Sequence, residues 1–289
     1  MRKPNFFIVG APKYGTTSLA HWLSEHPAVF MTRIKELDFF NSDIRKTFAE
    51  SMDEYLAHFD GATEKHEIVG EASTGYLRSH VAVPAIERAF PGSRYIVCLR
   101  NPVEMAWAWH RQMLYESWEV VQDFEAAWSL QAARCDGKWI PANCIEPANL
   151  QYAEVCALGS QVERLLEIVD AGRLHFVQLE HLRDHPADTY HGILSFLDIP
   201  EDGREYFPVL NATKRLPKAL TRAIRTVTDF KRRHHIGVGL GFLNATARRL
   251  SRPEREPMPA AVRLMLCDHF RLEVQKLQYC IGRDLSYWR

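Results

Sequence analysis

FFIVGAPKYGTTSLAHWL, residues 6–23, reads as a strand, a glycine turn and a helix in direct succession. Its first four residues are apolar and favour β structure, and this run stops at Gly10. Apolar residues then recur at helical spacing over residues 17–23, until His26-Pro27 ends the pattern. This order predicts a buried strand that leads, through a tight turn, into the N-terminus of a helix.

The same order recurs twice along the chain. Residues 95–99, YIVCL, form a strand pattern that stops at Arg100 and precedes a helix-like run. Residues 175–179, HFVQL, precede a helix that ends near Leu197. Strands that alternate with helices imply right-handed crossovers and a mostly parallel sheet with helices on both faces. We therefore predict an α/β three-layer sandwich, in one domain over residues 1–289 because no repeat or long linker divides the chain.

The turn has the glycine spacing of a Walker A loop, GxxxxG followed by hydroxyl residues. A nucleoside triphosphatase places lysine directly after the second glycine, and an acid elsewhere helps to hold Mg²⁺. Here Thr16 occupies the lysine position, Lys13 lies inside the turn, and the second strand ends in Arg100. Backbone N–H groups and the positive helix end still favour an anion. The sequence therefore predicts a phosphate site without a metal, and it disfavours an atypical P-loop kinase.

Two segments carry a family resemblance. PKYGTTSL, residues 12–19, resembles the PKxGTTxL 5′-phosphosulfate loop of sulfotransferases that use 3′-phosphoadenosine 5′-phosphosulfate (PAPS). LRNPVE, residues 99–104, resembles the start of their RNPVDRAYS 3′-phosphate motif. Four shorter segments extend the similarity along the chain: HP at 26–27, KELDFF at 35–40, GEASTGY at 70–76 and GRDLSYW at 282–288. The motif style is similar to that of heparan-type carbohydrate sulfotransferases and related bacterial enzymes.

This resemblance implies in-line transfer of the sulfuryl group from PAPS to an acceptor hydroxyl on a carbohydrate, a glycolipid or a small-molecule natural product, with release of 3′-phosphoadenosine 5′-phosphate (PAP). It implies that Lys13 is the cation at the leaving oxygen and Glu36 the general base, since the glycan branch places its catalytic glutamate two residues before a Phe-Phe or similar pair. The donor-binding residues it implies are Lys13, Tyr14, Gly15, Thr16, Thr17, Ser18, Arg100, Ala108, Lys214 and Arg215. The predicted acceptor-binding residues are Glu36, Asp38, Tyr76 and His110.

Two positions leave alternatives open. Ala108 stands where the family motif has a serine for the 3′-phosphate, and a lost charge-assisted hydrogen bond costs about 1.5–3 kcal/mol unless it is replaced. A non-catalytic member of the fold that binds a nucleotide or polyanion is therefore an alternative function. Glu36 also has a structural alternative, an ion pair with Lys35 on a surface turn.

Two segments differ from the rest of the chain. Residues 118–151 contain Trp118, Trp128 and Trp139, and we expect an irregular insertion there that shapes the substrate cleft. Residues 213–256 hold twelve Lys and Arg against three Asp and Glu. They predict a basic lid over an anionic ligand, with a solvated helix face as the alternative.

Composition narrows the partners. The chain has 36 Lys and Arg against 36 Asp and Glu, which excludes a broadly basic nucleic-acid-binding protein. Its six cysteines never form CxxC, so reduced, structural thiols are expected. No stretch approaches about 20 apolar residues, so we predict no membrane span and a cytoplasmic location. The expected partner is a small-molecule or glycan acceptor, and a homodimer is compatible with the sequence.

Overall fold

A computed structural model describes residues 2–12, 15–44, 49, 51–210 and 257–288. The sheet strands are β1 (Phe6–Gly10), β2 (Val29–Met31), β3 (Ile68–Ala72), β4 (Arg94–Leu99) and β5 (Leu174–Gln178). The helices in the first part of the chain, up to the one that follows β4, are α1 (Thr16–Ser24), α2 (Met52–Ala57), α3 (Gly75–Arg78), α4 (Ala82–Ala89) and α5 (Pro102–Tyr115). The later helices are α6 (Phe124–Ser129), α7 (Gln131–Cys135), α8 (Tyr152–Val155), α9 (Leu158–Ile168), α10 (Leu179–Asp184), α11 (Pro186–Leu197) and α12 (Ala260–Ile281). Short 3₁₀ turns cover Pro147–Leu150 and Ala171–Arg173.

The five strands form one parallel sheet in the order β2-β3-β1-β4-β5. β1 is central and fully buried, since it pairs with β3 on one side and with β4 on the other. β2 and β3 lie on one side of β1, whereas β4 and β5 lie on its other side. The direction in which strands are added to the sheet therefore reverses beside β1. This confirms the predicted α/β fold and places the glycine turn where open sheets usually bind ligands.

Three strands and their helices lie where the sequence predicted them, whereas β2 and β3 were not predicted. β2 has only three residues. β3 contains Gly70 and Glu71, two residue types that are rare in strands, yet both are buried. Gly70 is required because a Cβ atom there would collide with the ring and carbonyl of Phe6 on β1. The strand therefore depends on its neighbour more than on its own propensity.

The insertion at 118–151 is partly helical, which corrects the expectation of an irregular segment. It contains α6, α7 and the 3₁₀ turn, with a small apolar core of its own around Trp118, Ala127 and Leu150. Glu119 and Arg134 form a fully buried ion pair in it, with Nη1 and Oε2 2.7 Å apart. The tyrosine hydroxyl of Tyr152 donates to the same carboxylate at 2.7 Å. A satisfied ion pair thus holds the insertion together.

Three further findings concern the whole fold. All six cysteines are free thiols. Among the described residues, no helix is both long and apolar enough to cross a bilayer. In the same part of the chain, no cluster of three or more His, Cys, Asp and Glu side chains is arranged to hold a metal ion.

Candidate active site

The glycine turn begins where β1 ends, and its backbone needs glycine at both ends. Gly10 has φ +112°, and a Cβ atom there would lie 2.8 Å from the carbonyl oxygen of Cys98 on β4. Ala11 instead donates its N–H to that oxygen at 2.9 Å. Gly15 has φ +98° and caps the N-terminus of α1. Lys13 and Tyr14, between these two glycines, lie outside the described residues.

The N-terminus of α1 has the features of an anion site. Its first N–H groups precede the point where intrahelical acceptors are available, so they can bind a phosphate. Thr16 and Ser18 are buried and Thr17 is half-buried. The structure therefore brings Gly15, Thr16, Thr17 and Ser18 together at one helix end, as the turn motif predicts.

Ser18 and Trp22 attach a late part of the chain to α1. The hydroxyl of Ser18 accepts the N–H of Leu210 at 2.8 Å and donates to the carbonyl oxygen of Leu210 at 3.4 Å. The indole of Trp22 donates to the carbonyl oxygen of Pro208 at 3.0 Å. The predicted donor-binding residues Lys214 and Arg215, with the basic segment 213–256, lie outside the described residues.

Lys35 contacts the same helix end from the loop that follows β2. Its ammonium donates to the hydroxyl oxygens of Thr16 and Thr17, at 3.0 and 3.1 Å. Burial lowers the pKa of Lys35, while the neighbouring carboxylate of Glu36 opposes that shift. In the sequence this lysine is visible only as the first letter of KELDFF, and nothing local indicates that it points back to the turn.

Glu36 lies next to Lys35 in the chain, but its side chain forms hydrogen bonds with other residues. Its N–H donates to the carbonyl oxygen of Ala72 at 2.9 Å. Its carboxylate oxygen Oε2 accepts the N–H of Thr74 at 2.9 Å and the hydroxyl of Thr74 at 3.1 Å. The geometry therefore differs from a simple surface pair between Lys35 and Glu36.

The electrostatics of Glu36 suit a proton acceptor. Burial raises the pKa of Glu36, and the negative charge of Asp38 adds to that effect. Lys35 and the hydrogen bonds from Thr74 act in the opposite direction. A raised pKa makes a carboxylate a stronger base, which is the property that general base catalysis requires.

The backbone from Glu36 to Asp38 is strained, and hydrogen bonds from this loop to β3 and α3 hold it in place. Glu36 and Asp38 both have positive φ, +56° and +50°, which is uncommon for residues other than glycine. Asp38 is buried, its N–H donates to the hydroxyl of Ser73 at 3.2 Å, and its Oδ1 accepts from the amide of Asn41 at 3.0 Å. Asp38 therefore supports the loop from inside, and its buried position does not favour the predicted acceptor contact.

Glu71 lies under this loop and accepts three hydroxyl groups. Tyr76 and Tyr55 donate to Oε1 at 2.7 and 2.9 Å, and Ser73 donates to Oε2 at 2.9 Å. The hydroxyl of Tyr76 also accepts the N–H of Phe39 at 3.1 Å. Because Ser73 and Tyr76 bind the loop backbone and Glu71 at the same time, this carboxylate determines where the loop sits.

Two predicted acceptor-binding residues point into the interior instead. Tyr76 has no exposed surface and makes the contacts just described, a position that does not favour the predicted acceptor contact. His110 is 1% exposed, and its Nε2 lies 3.0 Å from the carbonyl oxygen of Val121 in the insertion. Burial lowers the pKa of His110. Its position on the inner side of α5 makes it a packing residue.

Arg100 follows β4 at the same edge of the sheet as the glycine turn. It is half-buried, and the next residue, Asn101, caps α5 by accepting the N–H of Val103 at 2.9 Å. Ala108 lies on α5 with part of its surface exposed. The carboxyl ends of β1, β2 and β4 thus bring the turn, the Glu36 loop and Arg100 to one edge of the sheet.

A glycine turn at the reversal point of a parallel sheet, with a lysine ammonium bonded to the helix that follows it, is typical of α/β proteins that bind phosphate groups. The family model described as the sulfotransferase domain matches residues 3–234. The chain belongs to this family, which confirms the predicted resemblance.

Relatives agree with this assignment. The human bifunctional heparan sulfate N-deacetylase/N-sulfotransferase 2 is 27% identical over 300 residues, covering 99% of this chain and 31% of that protein. The membrane-associated sulfotransferase kil1 of Dictyostelium discoideum is 33% identical over 103 residues, 35% of this chain and 21% of that protein. The chain spans less than a third of the length of these curated relatives.

Solved structures show the same fold. The crystal structure of a sulfotransferase from Alicyclobacillus acidocaldarius superposes with a TM-score of 0.74 at 24% identity and covers all of both chains. Mouse sulfotransferase SULT7A1 complexed with PAP gives a TM-score of 0.54 at 12% identity, covering 97% of this chain and 87% of that one.

Proposed function

We propose that this chain transfers the sulfuryl group of PAPS to an acceptor hydroxyl on a carbohydrate. One observation carries the proposal. Lys35 and Glu36 are consecutive, yet the ammonium contacts the hydroxyls at the N-terminus of α1 while the carboxylate lies at the end of β3. A cation and a base from consecutive residues are therefore held by two different segments, the N-terminus of α1 and the residues that follow β3.

The residues at the turn fit a phosphosulfate donor. Gly10 and Gly15 allow the positive φ angles that the turn requires, and the first N–H groups of α1 offer donors to an anion. We propose that Lys13 adds a cation and that Arg100 binds the 3′-phosphate as a bidentate fork. Lys214 and Arg215 follow Leu210, which is anchored to Ser18, and we propose that they compensate for the missing hydroxyl at Ala108.

Sulfuryl transfer resembles phosphoryl transfer, in which positioning and charge stabilisation provide most of the rate. Thr74 holds Glu36 through two hydrogen bonds, and both go to Oε2. We propose that Oε1 takes the proton from the acceptor hydroxyl. Because its pKa is raised, Glu36 should accept that proton more readily than an ordinary carboxylate, and turnover should fall as the pH drops through this raised pKa.

The acceptor class is inferred from the relatives. Several of them are named as heparan sulfate N-deacetylase/N-sulfotransferases, which indicates a glycan. An assay should therefore offer this chain neutral sugars, uronic-acid oligosaccharides and amino sugars with free amines, and detect the added SO₃ by mass. Sulfonation confined to the amine would correct our proposal of a hydroxyl acceptor.

Binding and turnover test the site separately. Calorimetry without Mg²⁺ should show PAP binding that Lys13→Ala and Arg100→Ala each weaken by about tenfold or more. Glu36→Gln should abolish most turnover and leave the Kd for PAP within about threefold. Glu64→Gln, which removes an exposed carboxylate paired with Arg2, is the matched control and should be fully active. A fully active Glu36→Gln enzyme would remove Glu36 from the mechanism.

Ala108 favours one second candidate, a non-catalytic protein of the same fold that binds a nucleotide or polyanion. This candidate predicts PAP binding without product for any acceptor in the panel. We further propose that the chain is a single domain over residues 1–289, forms a homodimer and is cytoplasmic, with a substrate-shaping insertion at 118–151 and a basic lid at 213–256.

A further inference from the structure

Lys35 is the group at this site that the sequence motifs do not assign. It comes from the loop after β2, whereas the turn contains a lysine of its own, Lys13. Its Nζ lies 3.0 and 3.1 Å from the hydroxyl oxygens of Thr16 and Thr17. These are the first two residues of α1, where the helix presents its N–H groups and its positive end.

The direction of these hydrogen bonds matters. An ammonium can only donate, so each threonine hydroxyl accepts from Lys35 and keeps its own proton. That proton is available to an anion at the helix end, and the bond from a cation strengthens the hydroxyl as a donor. Lys35, two hydroxyl groups and the helix N-terminus therefore form one set of donors at the same helix end.

The charge of Lys35 is also poorly solvated. Half-burial removes part of its water, and this lowers its pKa despite the carboxylate of Glu36 next to it. A cation with incomplete solvation interacts more strongly with an arriving anion than an exposed lysine does, because the local dielectric is lower.

We propose that Lys35 is a second donor-contacting cation, which binds the 5′-phosphosulfate end of the sulfuryl donor and stabilises the charge that grows there. This inference rests on the proposed function. In the reaction the acceptor oxygen bonds to sulfur and its proton passes to Glu36. The bond from sulfur to the 5′-phosphate oxygen breaks, and its electron pair stays on that oxygen. Lys35 and Glu36 thus act at the two ends of the same displacement.

A comparison of two ligands distinguishes phosphate binding by Lys35 from a purely structural role. PAP has a 5′-phosphate, and adenosine 3′-monophosphate lacks it. Lys35→Met should weaken PAP binding by about 10-fold to 100-fold, since a charge-assisted hydrogen bond is lost. It should leave the affinity for adenosine 3′-monophosphate unchanged. Lys35→Arg, which keeps the charge, should restore most of the PAP affinity.

Lys65→Met is the matched control, because Lys65 is exposed and far from the turn in sequence. It should bind both ligands like the wild type. In the sulfonation assay Lys35→Met should lower kcat by about 100-fold or more. Equal losses for the two ligands would show a structural role and overturn the proposal, as would unchanged PAP binding.

The outcomes also distinguish this inference from the proposed function. If the wild-type protein binds PAP and Lys35→Met binds it equally well, only the role of Lys35 fails. If the wild-type protein fails to bind PAP at millimolar concentration, the proposed function fails and the role of Lys35 fails with it.

Discussion

Replacing Glu71 with glutamine tests the buried carboxylate that holds the loop of Lys35 and Glu36. Burial raises the pKa of Glu71 to about 7, against the hydrogen bonds from Tyr76, Ser73 and Tyr55, which lower it. Glutamine has nearly the same shape and still offers an oxygen to the two tyrosine hydroxyls. The substitution therefore removes the titration while keeping most of the packing.

The sign of the effect follows from proton linkage. In the unfolded chain Glu71 ionises near its ordinary pKa of 4.5, whereas the folded protein keeps its proton up to about pH 7. Between these values the folded state binds more protons, so its stability falls as the pH rises. The full difference corresponds to about 3 kcal/mol. Relative to wild type, the Glu71→Gln protein should therefore gain about 2–3 kcal/mol between pH 5 and pH 8.

Urea denaturation of both proteins at several pH values measures this difference, because the titrations of all other groups cancel in it. Parallel stability curves would refute the assignment of a raised pKa to Glu71. Glu119→Gln is a control with the opposite sign. Burial opposes the shift, but bonds from Arg134 and Tyr152 hold the pKa of Glu119 below its ordinary value. That variant should be less stable than wild type above pH 4.5, and the deficit should disappear in acid.

Three other substitutions test the fold that positions the site. Gly10→Ala should lower the free energy of unfolding by about 1–3 kcal/mol and weaken PAP binding, because its Cβ atom would lie 2.8 Å from the carbonyl oxygen of Cys98. Denaturation would measure the first effect and calorimetry the second. Arg134→Met should lower the free energy of unfolding by about 3–5 kcal/mol, since it leaves the carboxylate of Glu119 buried and without its cation. An unchanged Tm would contradict this. Gly159→Ala should push α9 away from the backbone of α12, which a lowered Tm would report while an unchanged Tm would disprove the close helix contact.

The strand and helix that flank the turn could be predicted because their signals are local. Glycines at both ends of the turn, an apolar run before it and helical spacing after it need no knowledge of distant residues. The same is true of β4 and β5, which are short apolar runs next to helix signals. β3 could not be recognised in this way, because Glu71 is tolerated in a buried strand only through donors from Tyr55 and Tyr76.

The site shows the same division. Glu36 and Arg100 were predicted from motifs, and they lie after β2 and β4, at the sheet edge where the turn also begins. Tyr76 and His110 were expected at the acceptor, but the direction of a side chain depends on the strands and helices packed around it, and both point inward.

The sequence by itself determined the class of this protein, since the two phosphate motifs, one of which is the turn, are contiguous patterns of residue types. Only the tertiary structure decided how the loop after β2 is used. Lys35 contacts residues 18 and 19 positions away, and Glu36 contacts a residue 38 positions away. Such contacts arise when parallel strands bring distant segments to one sheet edge, and no local pattern records them.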